Sequence, residues 1–261
     1  MIASRDNPKF KLLRTLASNV REQRSSGHTL LDGPHLVAAY LDKVDLPLRV
    51  VVSEAGMEQR EVQSLLIRCK GIETVVLSDA LFRGVAGTEA PVGILAEIAI
   101  PEPPGLPAKG SCVLLDAVQD AGNVGAIMRT AAAAGVRDVL LGAACAGAWS
   151  LKVLRAGQGA HFDLSIHERV DIPHFLDGFA GNSIATVARD GELLYTLDLA
   201  GPVAWVFGNE GAGVSKKSLQ ATRLRATIPL AAGCESLNVA AAAAICLFEE
   251  RRQKLGTMKA G

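Results

Sequence analysis

The stretch LLDAVQDAGNVGAIMRTAAAAG, residues 114–135, decides how the second half of the chain folds. It begins with the apolar run of a buried strand, passes through a short loop of small and polar residues, and continues as an alanine-rich helical pattern. Gly122, Asn123 and Gly125 fall in the first turn of this helix, where backbone N–H groups lack a partner within the helix and can bind a ligand. The stretch therefore predicts a strand, a ligand-binding loop and a helix, in that order.

Asn123 and Arg129, at the mouth of this helix, fit two interpretations equally well. Asn is a good N-cap and a lone Arg on a helix is usually solvated, so both residues can be structural. Alternatively, both bind a ligand. Arg129 follows Asn123 by about 1.7 helical turns and lies on another face, but its side chain is long enough to reach the same mouth. This stretch alone does not decide between the two.

The alternation of strands and helices continues through the chain. After residue 110 the strand patterns are SCVLLDAV, RDVLLGA, FDLSIHE, SIATVA, PVAWVFGN and LRATIPL, and the helical patterns are 122–134, 150–160, 171–180, 215–222 and 236–254. They predict a mostly parallel sheet flanked by helices, which binds ligands at the carboxyl ends of its strands. A weaker alternation predicts a smaller α/β domain over residues 1–100. The Pro- and Gly-rich segment 101–110 predicts a linker, and the second domain is expected at 111–261.

Composition limits the class of protein. Hydrophobic residues make up 49% of the 261 residues, enough for one large or two ordinary domains. Lys plus Arg and Asp plus Glu each total 27, so a nucleic-acid partner would have to be bound by a local basic patch. The basic first 24 residues are a candidate for such a patch. A solvated helix face is the commoner explanation of a modest run of charges. Five scattered cysteines favour neither a disulfide framework nor a metal site. Without a signal-peptide pattern or an apolar run of about 20 residues, we expect a soluble cytoplasmic protein with no membrane span.

A second strand end carries polar residues that packing does not need. In VAWVFGNEGAGVSKK, residues 203–217, a buried strand ends in Gly208, Asn209 and Glu210. The glycines allow the backbone to approach a ligand closely. The structural alternative is a tight turn in which Glu210 caps the helix that starts near Ser215. Taken alone, this loop is a weak signal.

A third strand end shows the same combination. In TIPLAAGCESLNVAAAAAICLFEE, residues 227–250, Glu235, Ser236 and Asn238 are expected at the start of an alanine-rich helix. Helix capping is again the structural alternative, because Ser and Asn favour helix starts. Three strand ends that each carry Asn or Gly and a charge are harder to explain by packing than one.

Together the three loops resemble the signature motifs of the SpoU (TrmH-like) RNA ribose 2′-O-methyltransferases, in the order and approximate spacing of that family. The matching residues are Asn123, Gly125, Arg129, Thr130 and Ala131 for the first motif; Phe207, Gly208, Asn209, Glu210, Gly211, Gly213 and Ser215 for the second; and Ile228, Pro229, Ser236, Leu237, Asn238, Val239 and Ala241 for the third. The segment 151–166 resembles the family's connecting segment. The N-terminal part is similar to the L30e-like RNA-binding domain that often precedes the catalytic one.

The resemblance implies a SPOUT fold, in which the C-terminal segment of the sheet is threaded into a deep trefoil knot. It implies S-adenosylmethionine as cofactor and a homodimer whose active site uses residues of both subunits. It also implies an RNA substrate, and the L30e-like domain favours ribosomal RNA.

The resemblance assigns two groups of residues. Expected cofactor contacts are Thr186, Ala188, Gly208, Ile228, Leu230 and Leu237. The expected catalytic residues are Asn123, Arg129, Glu210 and Asn238, with Ser236 in the polar set around the acceptor ribose. Arg129 is implicated as the residue that activates the 2′-hydroxyl. Because a free guanidinium loses its proton only above a pH of about 12, we favour a version in which Arg129 binds the adjacent phosphate and stabilises the developing charge.

Three alternatives remain at this point. The chain could be a non-catalytic RNA-binding protein with the same fold, although RNA binding alone does not need that set of polar residues. It could be an enzyme that acts on tRNA. An oxidoreductase that binds a dinucleotide is disfavoured, because the first strand, loop and helix lack the glycine fingerprint.

Overall fold

The structure is a computed structural model and describes residues 1–107 and 109–258. Its contacts group the chain into two compact units. The first unit contains Met1–Glu102 and Trp149–Phe162, and the second contains Pro103–Ala148 and Asp163–Gly261. The division into 1–100, a linker and 111–261 stays a prediction. The contact grouping differs from it in two places: it assigns Trp149–Phe162 to the first unit, and it divides the predicted linker after Glu102.

The elements follow one another as alternating helices and strands. The helices are α1 (Pro8–Ser18), α2 (Val20–Ser26), α3 (Pro34–Lys43), α4 (Glu54–Met57), α5 (Arg60–Arg68), α6 (Asp79–Arg83), α7 (Ala121–Ala134), α8 (Leu151–Gly157), α9 (Ile172–Gly178), α10 (Lys216–Ala221) and α11 (Val239–Met258). The strands are β1 (His28–Asp32), β2 (Arg49–Ser53), β3 (Glu73–Leu77), β4 (Ile94–Ala99), β5 (Cys112–Asp116), β6 (Asp138–Leu141), β7 (Ser165–Glu168), β8 (Asn182–Thr186), β9 (Glu192–Leu193), β10 (Val203–Gly208) and β11 (Leu224–Thr227). Short 3-10 helices lie at Ala160–Asp163 and Leu194–Thr196.

The first unit is built on a four-stranded sheet in the order β1-β4-β2-β3. β4 runs antiparallel to both of its neighbours, whereas β2 and β3 are parallel. Helix α8 belongs to this unit because the hydroxyl of Thr29 donates to the carbonyl of Trp149 (2.7 Å) and Arg155 donates to the carbonyl of Gly87. Leu151 is buried in the same core as Phe10 of α1.

The second unit is a seven-stranded sheet in the order β7-β6-β5-β10-β8-β11-β9, and its neighbouring strands run parallel. β5 and β10 lie near the centre, and all six residues of β10 are buried. Uniformly apolar strands of this kind are typical of a parallel sheet covered on both faces. The register pairs Gly208 with Asp116, so the carboxyl ends of the two central strands are level with each other. The loops after these strands therefore lie side by side.

A buried carboxylate joins α11 to this sheet. Glu250 is 2% exposed and accepts a hydrogen bond from the indole Nε1 of Trp205 (2.6 Å). Ser111 and Lys254 also donate to it. These partners supply the hydrogen bonds that a buried charge needs. They lie toward the amino end of β10, away from the loops that follow the central strands.

The α/β class and the mostly parallel sheet are confirmed, and each strand pattern quoted after residue 110 overlaps an observed strand. The trefoil knot and the L30e-like character of the first unit stay predictions. The two-residue strand β9 was not predicted. The last helix begins at Val239 and not at 236, because the side chain of Asn238 caps it and residues 228–238 lie outside any helix or strand.

The basic run in the first 24 residues forms α1 and α2. Lys9 pairs with Glu73 of β3, and Lys11 pairs with Asp6 at 3.0 Å. Part of the run is therefore neutralised by neighbouring carboxylates. Arg14 lies over the ring of Phe10, with 6.0 Å between the guanidinium carbon and the ring centre.

Candidate active site

A cavity of about 290 Å³ lies at the carboxyl end of the seven-stranded sheet. The six expected cofactor residues, Thr186, Ala188, Gly208, Ile228, Leu230 and Leu237, all line it. They come from the ends of β8, β10 and β11 and from the irregular segment 228–238. The structure thus brings together residues that are up to 51 positions apart in the sequence (237 minus 186). Their assignment to a cofactor stays a prediction.

The lining of this cavity combines apolar side chains with backbone. Ile228, Leu230 and Leu237 provide apolar surface, and Leu237 is 37% exposed. The segment 228–237 has no regular structure, so its N–H and C=O groups are not committed to a helix or a strand ladder. Apolar walls with a few convergent polar groups are typical of sites for small molecules, whose volumes begin at about 300 Å³. The cavity can hold an aromatic ring between apolar side chains, with backbone N–H and C=O groups in place to form hydrogen bonds to the polar edge of the ring.

Glu210 joins the loop after β10 to the loop after β5. Its Oε1 accepts hydrogen bonds from the backbone N–H of Asp120 (3.2 Å) and from the side chain of Asn123 (3.0 Å). Its Oε2 accepts from the backbone N–H of Gln119 (3.4 Å) and from the side chain of Asn209 (3.4 Å). The proposed structural role, capping of α10 by Glu210, is wrong. Ser215 caps that helix itself, by accepting from the N–H of Ser218.

Asn123 is also bound from its other side. Its Oδ1 accepts a hydrogen bond from the side chain of Asn238 (2.9 Å). Glu210, Asn123 and Asn238 therefore form one hydrogen-bonded chain across the three loops that the sequence singled out. The pairs are 87 and 115 residues apart.

The N-cap of α7 is Asp120 and not Asn123. The carboxylate of Asp120 accepts from the N–H of Asn123 at 2.7 Å. This arrangement leaves the Asn123 amide free to contact Glu210 and Asn238, so the structural interpretation of Asn123 as a cap is wrong. Asp is a preferred N-cap residue, and its place three residues before Asn123 was a sequence signal that could have found it.

Arg129 lies on an exposed part of α7. Among the residues that the structure describes, it has no hydrogen-bond or ion-pair partner. The structure therefore does not bring Arg129 into contact with Glu210 or Asn123. An exposed guanidinium without a protein partner remains available to bind an anion.

Glu210 is ionised in this setting. Burial acts to raise the pKa of its carboxyl group, but hydrogen bonds from Asn123 and from backbone N–H groups outweigh it and hold the pKa below its ordinary value. A carboxylate that already accepts four hydrogen bonds is suited to fixing its donors in place. It is poorly suited to removing a proton from a substrate.

Glycine is required at the end of β10. A Cβ on Gly208 would lie 2.1 Å from the backbone nitrogen of Val214 and 2.2 Å from the carbonyl carbon of Gly213. The turn 209–213 folds back on the strand here, with paired backbone hydrogen bonds between Asn209 and Gly213 (3.0 and 2.9 Å). Gly213 itself has a φ of 70°, which a residue with a side chain rarely adopts.

The described part of the chain has neither a cluster of metal-ligating side chains nor a helix that could span a membrane. Within residues 1–107 and 109–258, no group of three or more His, Cys, Asp or Glu side chains could hold a metal ion. No helix within these ranges is long and apolar enough to cross a membrane.

Comparison with known proteins gives matches over most of the chain. Residues 110–248 match the SpoU rRNA Methylase family, and residues 7–96 match the MRM3-like substrate binding domain. The 23S rRNA (guanosine(2553)-2′-O)-methyltransferase RlmP of Bacillus subtilis (strain 168) is 34% identical over 254 residues, which cover 96% of this chain and 98% of that protein.

Solved structures agree with this result. A TrmH-family RNA methyltransferase from Porphyromonas gingivalis is 29% identical, with a TM-score of 0.82, and the match covers 97% of this chain and 99% of that one. An rRNA methyltransferase from Sinorhizobium meliloti, solved with bound AdoMet, is 26% identical, with a TM-score of 0.82 and coverage of 96% and 97%. The likeness extends over both units of the chain.

Proposed function

Since this chain belongs to the SpoU rRNA methylase family, we propose that it transfers a methyl group from S-adenosylmethionine to a ribose 2′-hydroxyl of ribosomal RNA. RlmP is named as an enzyme of this kind, and its sequence aligns with nearly the whole of this chain. The enzyme class is therefore an S-adenosylmethionine-dependent RNA ribose 2′-O-methyltransferase.

One observation supports this function most directly. The chain of hydrogen bonds from Glu210 through Asn123 to Asn238 lies beside a cavity that two of the same three loops help to form, the loop after β10 and the segment 228–238. Glu210 and Asn238 also line the cavity. A cofactor pocket and a polar acceptor site are therefore adjacent, as direct transfer between two bound reactants requires.

The cavity fits S-adenosylmethionine in its chemistry. Ile228, Leu230 and Leu237 would pack against the adenine ring, and the backbone at Thr186 and Ala188 would contact its polar edge. When bound, the cofactor supplies a methyl group on a positively charged sulfur. The protein does not need to activate the methyl group further, so its own residues act on the acceptor.

The acceptor hydroxyl is a poor nucleophile, so positioning and charge stabilisation are the main tasks of the protein. Arg129 would bind the phosphate next to the target ribose, because an exposed guanidinium matches phosphate in geometry and charge. Asn123 would orient the hydroxyl, and its own orientation is fixed by Glu210 and Asn238. In this version Arg129 keeps its proton and stabilises the negative charge that develops on the 2′-oxygen, the hydroxyl proton passes to water, and S-adenosylhomocysteine is the leaving group.

Two further properties belong to the same proposal. RNA is the macromolecular partner, and the first unit, which matches the MRM3-like substrate binding domain, would bind it outside the active site. We also propose that the enzyme works as a homodimer in the cytoplasm, where ribosomal RNA is processed in bacteria.

The function is tested by mapping 2′-O-methyl groups in RNA from cells with and without the gene. We expect one ribosomal site to lose its methyl group when the gene is deleted. The purified protein with S-adenosylmethionine should restore that site in RNA from the deletion strain. Loss of a methyl group from tRNA instead, or no change in any RNA, would contradict the proposal.

A further inference from the structure

Asn209 lies in the loop after β10, where it lines the cavity and contacts the loop after β5, and no role has been assigned to it so far. We propose that Asn209 is a positioning residue for methyl transfer: it holds Ala117 in a left-handed backbone conformation and so fixes the loop after β5 that presents its N–H groups to Glu210. The inference rests on the proposed function and deepens it.

The amide of Asn209 is bound on both sides. Its Oδ1 accepts hydrogen bonds from the backbone N–H groups of Gly211 and Ala212, both at 3.0 Å. Its Nδ2 donates to the carbonyl of Ala117 at 2.9 Å and to the carboxylate of Glu210 at 3.4 Å. The oxygen faces two donors and the nitrogen faces two acceptors, so the orientation of the amide is fixed by its surroundings.

Ala117 is the residue on which this contact acts. It has a φ of 60°, in the left-handed region that residues with a Cβ seldom occupy. It directly follows the last residue of β5, and its conformation sets the direction in which the loop leaves the sheet. Strained backbone of this kind persists only where the surrounding structure holds it, and it is frequent at functional sites. The hydrogen bond from Asn209 to the Ala117 carbonyl is a contact that holds it.

The conformation of Ala117 determines where the residues two and three positions further along the loop lie. The loop that Ala117 directs carries the N–H groups of Gln119 and Asp120, which donate to Glu210. Glu210 in turn accepts from the side chain of Asn123. Asn209 therefore acts on Asn123 through two routes: directly on the carboxylate of Glu210, and through the backbone of the loop after β5.

Two substitutions test the Nδ2 donor of Asn209 separately from the rest of its side chain. Asn209→Asp keeps the size and an oxygen for Gly211 and Ala212, but it places a second oxygen against the Ala117 carbonyl and the Glu210 carboxylate. Asn209→Ala removes all four hydrogen bonds of the side chain, the two that Oδ1 accepts and the two that Nδ2 donates. Asn182, the first residue of β8, lies outside the site, so Asn182→Ala serves as a matched control with unchanged turnover.

The expected result is a loss of turnover with cofactor affinity largely kept. For both Asn209 variants we expect kcat to fall by roughly 5- to 30-fold, the factor that corresponds to losing one neutral hydrogen bond to the Ala117 carbonyl and one long hydrogen bond to Glu210. The Kd for S-adenosylmethionine, measured by calorimetry, should change less than about threefold, a small free-energy difference. A kcat within threefold of the wild-type value for Asn209→Ala would overturn the inference. So would a rise in Kd that accounts for the whole loss.

A rescue experiment tests the route through Ala117. Glycine adopts the left-handed region without the cost that alanine has. The loss caused by Asn209→Ala should therefore be smaller in an Ala117→Gly background than in the wild-type background. An equal loss in both backgrounds would show that Asn209 does not act by holding Ala117, and would overturn the inference.

Amide hydrogen exchange supplies a readout that does not depend on activity. In the wild-type protein the N–H groups of Gln119 and Asp120 are hydrogen-bonded, and their exchange should become faster in Asn209→Ala. Unchanged exchange across 117–123 would overturn the inference. If the wild-type protein does not methylate ribosomal RNA, the proposed function fails, whereas faster exchange in the variant would still support the positioning of the loop.

Discussion

Replacing the carboxylate of Glu210 by an amide tests the hydrogen-bonded chain at its centre. Glu210→Gln preserves the size and shape of the side chain, but one of its two oxygens becomes an NH₂ group. If that group takes the place of Oε2, it faces the N–H of Gln119 and the side-chain amide of Asn209, which are both donors. The Asn123 contact at Oε1 remains but is no longer charge-assisted.

The size of the effect follows from these contacts. The two bonds at Oε2 are long, at 3.4 Å each, and Glu210 is exposed to solvent, so each contributes about 0.5 kcal/mol, the low end for a hydrogen bond. Weakening of the two bonds at Oε1 adds a similar amount. The total is about 1–2 kcal/mol, which corresponds to a fall in kcat/KM of about 5- to 30-fold. Glu210→Ala removes all four bonds and should lose more.

The assay is the initial rate of methyl transfer from labelled S-adenosylmethionine to the ribosomal RNA fragment that contains the target site. Glu192→Gln is the matched control, because Glu192 is an exposed residue of β9 outside the cavity lining. We expect the control to keep the wild-type rate. A rate for Glu210→Gln within twofold of wild type would show that the negative charge is not needed. Equal losses for Glu210→Gln and Glu210→Ala would show that the hydrogen bonds kept at Oε1 do not contribute. Either result would refute the reasoning that Glu210 acts by accepting these four hydrogen bonds.

Three other changes have defined outcomes. Gly208→Ala places a Cβ 2.1 Å from the nitrogen of Val214, so we expect the protein to lose about 1–3 kcal/mol of stability and to bind S-adenosylmethionine more weakly. Differential scanning calorimetry measures the loss, and an unchanged thermal unfolding transition would contradict the close packing of this turn. Arg129→Ala should abolish methyl transfer but keep cofactor affinity, and Arg129→Lys should also be poor because it lacks the planar fork; near-normal turnover in Arg129→Ala would exclude its assigned role. Hydrogen-bonded ion pairs with Lys9 and Arg49 lower the pKa of the Glu73 carboxyl group to about 2, so they stabilise the fold above pH 4.5 and the effect is lost as the pH falls toward 2. Urea unfolding of Glu73→Gln should therefore differ from wild type at pH 6 and converge with it near pH 2, and a constant difference would contradict this reasoning.

The order of strands and helices in the second unit could be predicted from the sequence because it depends on local patterns. Apolar runs of four to eight residues between Gly, Pro or Asp residues form strands that are covered on both faces. The same patterns placed the functional loops at the carboxyl ends of strands. One helix boundary was wrong. The last helix was predicted to begin at 236 but begins at Val239, because the side chain of Asn238 caps it.

The contacts within the candidate site could not be predicted in the same way. Asn123 is a good N-cap by residue type, but the structure gives that role to Asp120. The helix begins at Ala121, so the Asp120 carboxylate lies opposite the free N–H groups of the first turn and accepts from the N–H of Asn123. The structural alternative for Glu210 was capping of the next helix. Glu210 binds the loop after β5 instead, since β5 and β10 are neighbours in the sheet.

The sequence by itself determined the α/β class, the position of three polar loops and, through its motifs, the family. These properties depend on residue types within a few positions of one another. Only the tertiary structure decided that Glu210, Asn123 and Asn238 form one hydrogen-bonded chain, and that Asn209 holds the strained backbone of Ala117. The physical reason is that these contacts join segments separated by about 90 to 115 residues. Such segments meet because strand order places their loops at one edge of the sheet, and strand order is fixed by packing of the whole unit.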